Sequence, residues 1–130
     1  MPEENAPHRF AITAQVPLPS ERQSITKKLQ LGNLEGYVTV GLYPDGRPGE
    51  VFFHFHGTGS LERGLLSSLA ITISVALQHG VPLDKLLEHL EGIRFEPAGF
   101  TQDTAIPQVR SIVDYIARWL RKAFLTKERP

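Results

Sequence analysis

The hydrophobic period of this chain changes once, at Gly57-Thr58-Gly59-Ser60, and no other feature narrows the possible folds so far. Before that point apolar and polar residues alternate, the period of a half-buried strand. After it apolar residues return every three or four positions, the period of a helix. Strands gathered first and helices second make an α+β domain, because a parallel α/β sheet needs the two kinds of element to alternate. At 130 residues there is chain for one core.

Residues 10–16 alternate apolar and polar side chains and read as a short edge strand, halted by Pro17 and Pro19. Residues 24–31 form the next strand, its alternation broken at Lys27. In residues 35–43, Val38, Val40 and Leu42 share one face, and Tyr37, Thr39 and Tyr43 the other. Asp45-Gly46 is hairpin chemistry. Residues 50–56 return, with Val51, Phe53 and Phe55 pointing one way and Phe52, His54 and His56 the other. An antiparallel sheet of three to four strands follows, as a meander.

Three helices complete the α+β domain. The long one, residues 60–79, is expected to pack on the sheet. Leu61, Leu65, Leu66, Leu69, Ile73, Ala76 and Leu77 keep helical spacing, while Ile71 and Val75 add apolar surface elsewhere, so both sides need cover. Thr58 or Ser60 is expected to cap it and Gly80 to end it. Leu83, Leu86, Leu87 and Leu90 mark a second helix, stopping at Gly92. Pro107 is expected to open the third, striped by Val109, Ile112, Val113, Ile116, Leu120 and Phe124. The expected core is Val38, Val40, Phe53, Leu65, Leu69, Ile73, Ile112 and Ile116. Phe52, Tyr37 and Tyr43 fall on a second face needing cover, which points to a homodimer.

Fourteen Lys+Arg balance fourteen Asp+Glu, so no global field draws a polyanion. Locally the balance fails. Residues 107–130 carry Arg110, Arg118, Arg121, Lys122, Lys127 and Arg129 against Asp114 and Glu128. Residues 81–103 carry Asp84, Glu88, Glu91, Glu96 and Asp103 against Lys85 and Arg94. Helix-dipole complementarity and solvated faces are the plain account; self-association or a basic docking edge is the other. The N-terminus, Met1 to Pro7, is polar and acidic, unlike a targeting segment. The weakly polar run from Leu65 to Leu77 is too short to cross a bilayer. A cytoplasmic protein without a membrane partner is expected.

Four features could carry chemistry. Gly57-Thr58-Gly59-Ser60, leading into a helix, is a candidate cradle for a phosphate or nucleotide, with Lys27 and Lys28 as candidate cations; a simple strand-to-helix turn is the plainer account. It matches neither a Walker loop nor a dinucleotide fingerprint. Arg110, Arg118, Trp119, Arg121 and Lys122 on the third helix are candidates for nucleic-acid binding, Trp119 by stacking on a base. Trp119 as an amphipathic or interface residue is the alternative. His54 and His56 project from one strand face about 6–7 Å apart, but a metal site would need His79 or His89 as a third ligand. Ser60, Ser67, Ser68 and Ser74 lie in no Gly-x-Ser-x-Gly elbow. No metal and no cofactor are expected.

Long collinear stretches resemble a known family. Residues 18–28 and 35–52, then Gly59-Ser60-Leu61, residues 76–83, Arg94-Phe95-Glu96-Pro97-Ala98-Gly99 and residues 111–120, are similar to the C-terminal region of adenosylcobalamin-dependent (class II) ribonucleotide reductases. That region is the small TSCPD domain. The resemblance implies a single domain over residues 18–125, with residues 1–17 a flexible leader or edge strand and 126–130 a tail. It departs in two ways: the Thr-Ser-Cys-Pro-Asp signature is absent, and these residues hold no Cys-x-x-Cys segment.

Ribonucleotide reduction needs a thiyl radical and a reducing dithiol, and this chain has zero cysteines. The resemblance therefore implies a non-catalytic accessory or binding module rather than an enzyme. It would be linked to deoxyribonucleotide synthesis by docking to a reductase chain or by binding a nucleotide. A stand-alone nucleic-acid-binding protein using the basic third helix is the alternative; a metal-dependent enzyme built on His54 and His56 ranks behind both.

Overall fold

The computed structural model describes residues 13–125. Residues 10–12 of the expected first strand, and the tail 126–130, lie outside the described residues. Residues 13–16 form no strand. The Val16 amide donates instead to the Gln78 carbonyl at 2.9 Å.

Three strands make an antiparallel sheet in the order β1 (Ser24–Leu31), β2 (Leu34–Leu42), β3 (Pro48–His56). The β1–β2 loop is Gly32-Asn33, with Gly32 at φ +61°, the left-handed first position a two-residue turn requires. The expected alternation holds: Leu29, Leu31, Leu34, Val38, Val40, Val51, Phe53 and Phe55 are buried on one face. Lys27, which breaks the pattern, sits on that same face, opposite Val38. Its ammonium lies 3.3 Å from Asp103 Oδ2. On the open face Tyr37, Phe52, His54 and His56 are exposed. Tyr43 does not join them. A register shift between Gly41 and Leu42 turns it inward, where its hydroxyl donates to the Val16 carbonyl at 2.6 Å.

The long helix α1 (Ser60–Gln78) runs beside β3. The Val51 amide donates to Ser74 Oγ at 2.9 Å, and that hydroxyl has the carbonyls of Val51 (3.2 Å) and Ala70 (2.8 Å) within reach of its proton. The helix thereby occupies part of the sheet edge that β3 would otherwise leave open. Leu66, Ala70, Ile73 and Leu77 face the core. Leu65, expected in the core, is 61% exposed because the helix turns it away from the sheet; Leu69 is partly buried against the core. Neither Thr58 nor Ser60 caps the helix: Gly59 is the N-cap and no side chain bonds there. By length and composition α1 could cross a membrane, more than the run 65–77 suggested; here it packs one side on the core and leaves the other exposed.

Helix α2 (Leu83–Leu87) is shorter than expected, the chain continuing to Gly92 as turns. Within the irregular stretch that follows, β4 (Gly99–Phe100) pairs with β5 (Gln108–Val109). Pro107 therefore precedes a strand and does not open a helix. Helix α3 (Ile112–Phe124) starts later, at Ser111, whose Oγ accepts from the Asp114 amide at 3.0 Å. The buried Asp114 carboxylate accepts from the amides of Gly92 and Arg110, both at 2.8 Å. Ser111 Oγ donates to the Ile93 carbonyl at 2.6 Å. One short run thus caps α3 and ties the preceding loop to it.

Candidate functional site

The turn from β3 into α1 takes its shape from contacts internal to the protein. Gly57 has φ +83°, and a Cβ there would collide with the Asn33 carbonyl of the β1–β2 turn. Its lack of a side chain serves backbone against backbone. A Cβ on Gly59 would meet the Glu62 carboxylate, 2.8 Å away, so a negative group of the chain already lies at the N-terminus of α1. Lys27 is committed to Asp103, and Lys28 pairs with Glu35 at 3.1 Å on the open face of the sheet. The structure does not gather them at this turn.

The turn borders a cavity of about 670 Å³. Leu34, Leu65, Leu66 and Leu69 line it on one side; Phe95, Pro97, Ile112 and Val113 on the other. Its polar groups include Asn33, Thr58 and the carboxylates Glu62 and Glu96, with no lysine or arginine. Such a site suits an apolar group flanked by a cation or a hydrogen-bond donor, and it opposes a phosphate. Phe95 and Glu96 come from the loop before β4, and only the tertiary fold brings them to Gly57.

The basic residues of α3 disperse. Trp119 is 8% exposed and packs edge-on against Phe124, ring centroids 6.3 Å apart, so its ring faces the core and not a base. Arg121 bonds Glu91 at 2.6 Å and Asp84 at 2.9 Å, which joins the basic helix to the acidic segment within one molecule. Lys122 is exposed in the last turn. Arg118 donates to the Gln108 carbonyl at 2.6 Å and lies 3.7 Å from Asp114. Arg110 and Arg118 do meet, however. With Arg94, which the sequence reading did not single out, they line an open cleft of about 1020 Å³ that Glu91, Glu96 and Asp114 also border.

His54 and His56 stay side by side on the exposed face of β3. His79 Nδ1 is 2.6 Å from the Thr13 carbonyl, and His89 sits beside Glu88. Among the described residues no group of three or more His, Asp or Glu side chains could hold a metal ion.

Lys27, Asp103 and Tyr115 form a buried-edge network. The Tyr115 hydroxyl donates to Asp103 Oδ2 at 3.2 Å, and the Ala105 amide to Oδ1 at 3.0 Å. Burial pushes the Asp103 carboxyl up, but the Ala105 amide, Lys27 and Tyr115 outweigh it and hold its pKa below the ordinary value. Burial first, then the Asp103 charge, pushes the Tyr115 phenol up to about 12. Every partner is internal, and the network ties β1 to α3.

Known proteins resemble this chain over most of its length. The vitamin B12-dependent ribonucleotide reductase of Rhodopirellula baltica is 46% identical over 109 residues, 84% of this chain and 10% of that protein. The reductase of the same name from Streptantibioticus cattleyicolor is 43% identical over 111 residues, 85% of this chain and 18% of its own. That of Agrobacterium fabrum is 40% identical over 109 residues, 83% and 9% respectively. The chain thus spans under a fifth of the length of these relatives. No solved structure matches it. The TSCPD domain family model matches residues 11–124, so the sheet, α1, the cavity and α3 all lie within the match, and the chain belongs to the TSCPD domain family.

Proposed function

We propose that this protein is a non-catalytic accessory module of deoxyribonucleotide synthesis that docks on a ribonucleotide reductase chain. The observation that carries this reading is the apolar cavity between α1 and the loop before β4, with Glu62 and Glu96 among its polar lining groups. It would receive an apolar side chain of the reductase next to a lysine or arginine. The likeness to a small part of vitamin B12-dependent reductases supports the choice of partner. A chain without cysteine supplies no thiyl radical or dithiol of its own.

The test is retention of proteins and nucleic acids from the native extract on the tagged chain at moderate salt, beside its Phe95→Glu variant. Phe95 lines the cavity and is 42% exposed, so the substitution leaves the core intact. A reductase chain retained by the native protein and lost from the variant is the expected result. Retention of nucleic acid alone, lost as salt rises, would overturn it.

A second reading has its own observation. Arg94, Arg110 and Arg118 share one cleft, and among the described residues the guanidinium groups of Arg94 and Arg110 carry no ion pair. A nucleotide or nucleic-acid phosphate would bind there rather than at Gly57–Ser60. Arg110→Ala would then abolish retention of nucleic acid.

A further inference from the structure

Ser60, Ser67 and Ser74 stand at i, i+7 and i+14 of α1, on one stripe of the helix. Ser74 shows where that stripe faces, because its hydroxyl meets the Val51 amide on the edge of β3 at 2.9 Å. Two turns earlier the helix no longer closes on the strand. Among the described residues the hydroxyls of Ser60 and Ser67 have no hydrogen bond. Those of Ser68 and Thr72, off the stripe, donate to the carbonyls of Gly64 and Ser68.

An open pocket of about 550 Å³ lies where the helix leaves the strand. Its apolar lining residues Phe53, Phe55 and Leu66 belong to the core and are buried. The accessible walls are therefore His54 and His56 of β3 on one side and Ser60, Arg63 and Ser67 of α1 on the other. Gly64 leaves room between them, since a Cβ there would meet no atom within 4 Å. The histidine pair and the serine of the Gly57–Ser60 turn, two separate features of the sequence, meet in this one place.

We propose that this pocket binds a phosphate group, carried by a small phosphate monoester. Every polar side chain lining it can donate a hydrogen bond, and no carboxylate is among them. Arg63 spends one donor on the Thr58 carbonyl at 2.8 Å and carries no ion pair among the described residues, which leaves four N–H groups and the full charge. Each imidazole adds one N–H when neutral and two when protonated, and each hydroxyl adds one. Donors from two walls suit an anion with several oxygens to satisfy. The neighbouring carboxylates are engaged elsewhere: Glu35, across from His56, pairs with Lys28 at 3.1 Å, and Glu62 lines the apolar cavity. A divalent cation is opposed by the guanidinium and finds no carboxylate. The pocket shares only the buried Leu66 with the apolar cavity and no residue with the arginine cleft, so it is a third site, outside the docking reading.

The test is NMR of the imidazole signals at fixed pH, titrated with inorganic phosphate and with methyl phosphate, against sodium chloride at equal ionic strength. Both phosphates should move His54 and His56 along one saturable curve while His79 and His89 stay in place. Arg63→Gln should raise the dissociation constant about tenfold. Ser67→Asp, which sets a carboxylate in the pocket, should abolish binding. Both positions are exposed, so the melting temperature should stay near that of the native chain. Phe95→Glu and Arg110→Ala, outside the pocket, should bind phosphate like the native chain.

Signals of His54 and His56 that do not move, or that chloride moves equally, would overturn the proposal. So would binding indifferent to Arg63→Gln, binding lost in Arg110→Ala, or binding of inorganic phosphate without methyl phosphate. Arg63→Gln should leave reductase retention in place, so loss of phosphate binding and loss of docking are read separately.

Discussion

Two glycines of similar appearance have opposite meanings. Gly57 holds φ +83° with the Asn33 carbonyl where a Cβ would go. Gly57→Ala is therefore expected to cost about 2 kcal/mol or more, from left-handed strain plus displacement of the turn, read by urea denaturation. Gly64, with open space around it, is free to become alanine at a gain of about 0.5–1 kcal/mol. The Asp103 and Tyr115 shifts set the behaviour at both extremes of pH. Asp103 is depressed in the folded state, so its stabilisation is present above the ordinary carboxyl value of 3.8 and is lost as pH falls through the lower folded value. Asp103→Asn should flatten the acid limb of the stability curve. Tyr115 is raised, so stability is full below pH 10.0 and declines towards about pH 12 as the unfolded chain gives up its proton first. Tyr115→Phe should remove that decline, seen as chemical denaturation midpoints across the alkaline range.

At the scale of elements, two hydroxyls decide more than their size suggests. Ser74 meets the outward amide of Val51, so Ser74→Ala should cost about 1–2 kcal/mol by leaving that edge group unpaired, with hydrogen exchange at the Val51 amide accelerating. Ser111 and Asp114 start α3, and removing the carboxylate in Asp114→Ala strands the Gly92 and Arg110 amides. A loss of about 3 kcal/mol is expected, by denaturant titration.

The sheet was legible in the sequence because its period of two is a local signal, and so was α1, whose period is local too. The orientation of α1 was not: a helix apolar on two sides does not say which side meets the sheet, and Leu65 was assigned to the core accordingly. Pro107 looked like a helix start, yet Ser111 with Asp114 three residues on was the stronger cap. Half of the cavity was unreadable, since Phe95 and Glu96 reach Gly57 only through the tertiary fold. Lys27 spoiled an alternation for a reason equally distant, the carboxylate of Asp103.

For the molecule as a whole, the uneven charge along the chain folds back on itself. Arg121 joins Asp84 and Glu91, so one charge of the basic tract meets the acidic segment inside the molecule. These pairs are partly exposed, and Arg121→Ala should cost about 1 kcal/mol or less.

The order of the elements has a consequence during synthesis. The sheet is complete at His56, but the last buried residue of its cover, Leu120, comes more than sixty positions later. At roughly 5–20 residues per second, the apolar face of a nascent chain waits several seconds for α3, with α1 alone to shield it. A ribosome stalled before Ile112 would present Leu29, Val38 and Phe53 to chaperones and proteases, so premature termination in the final quarter should yield degradation rather than a shortened, working domain.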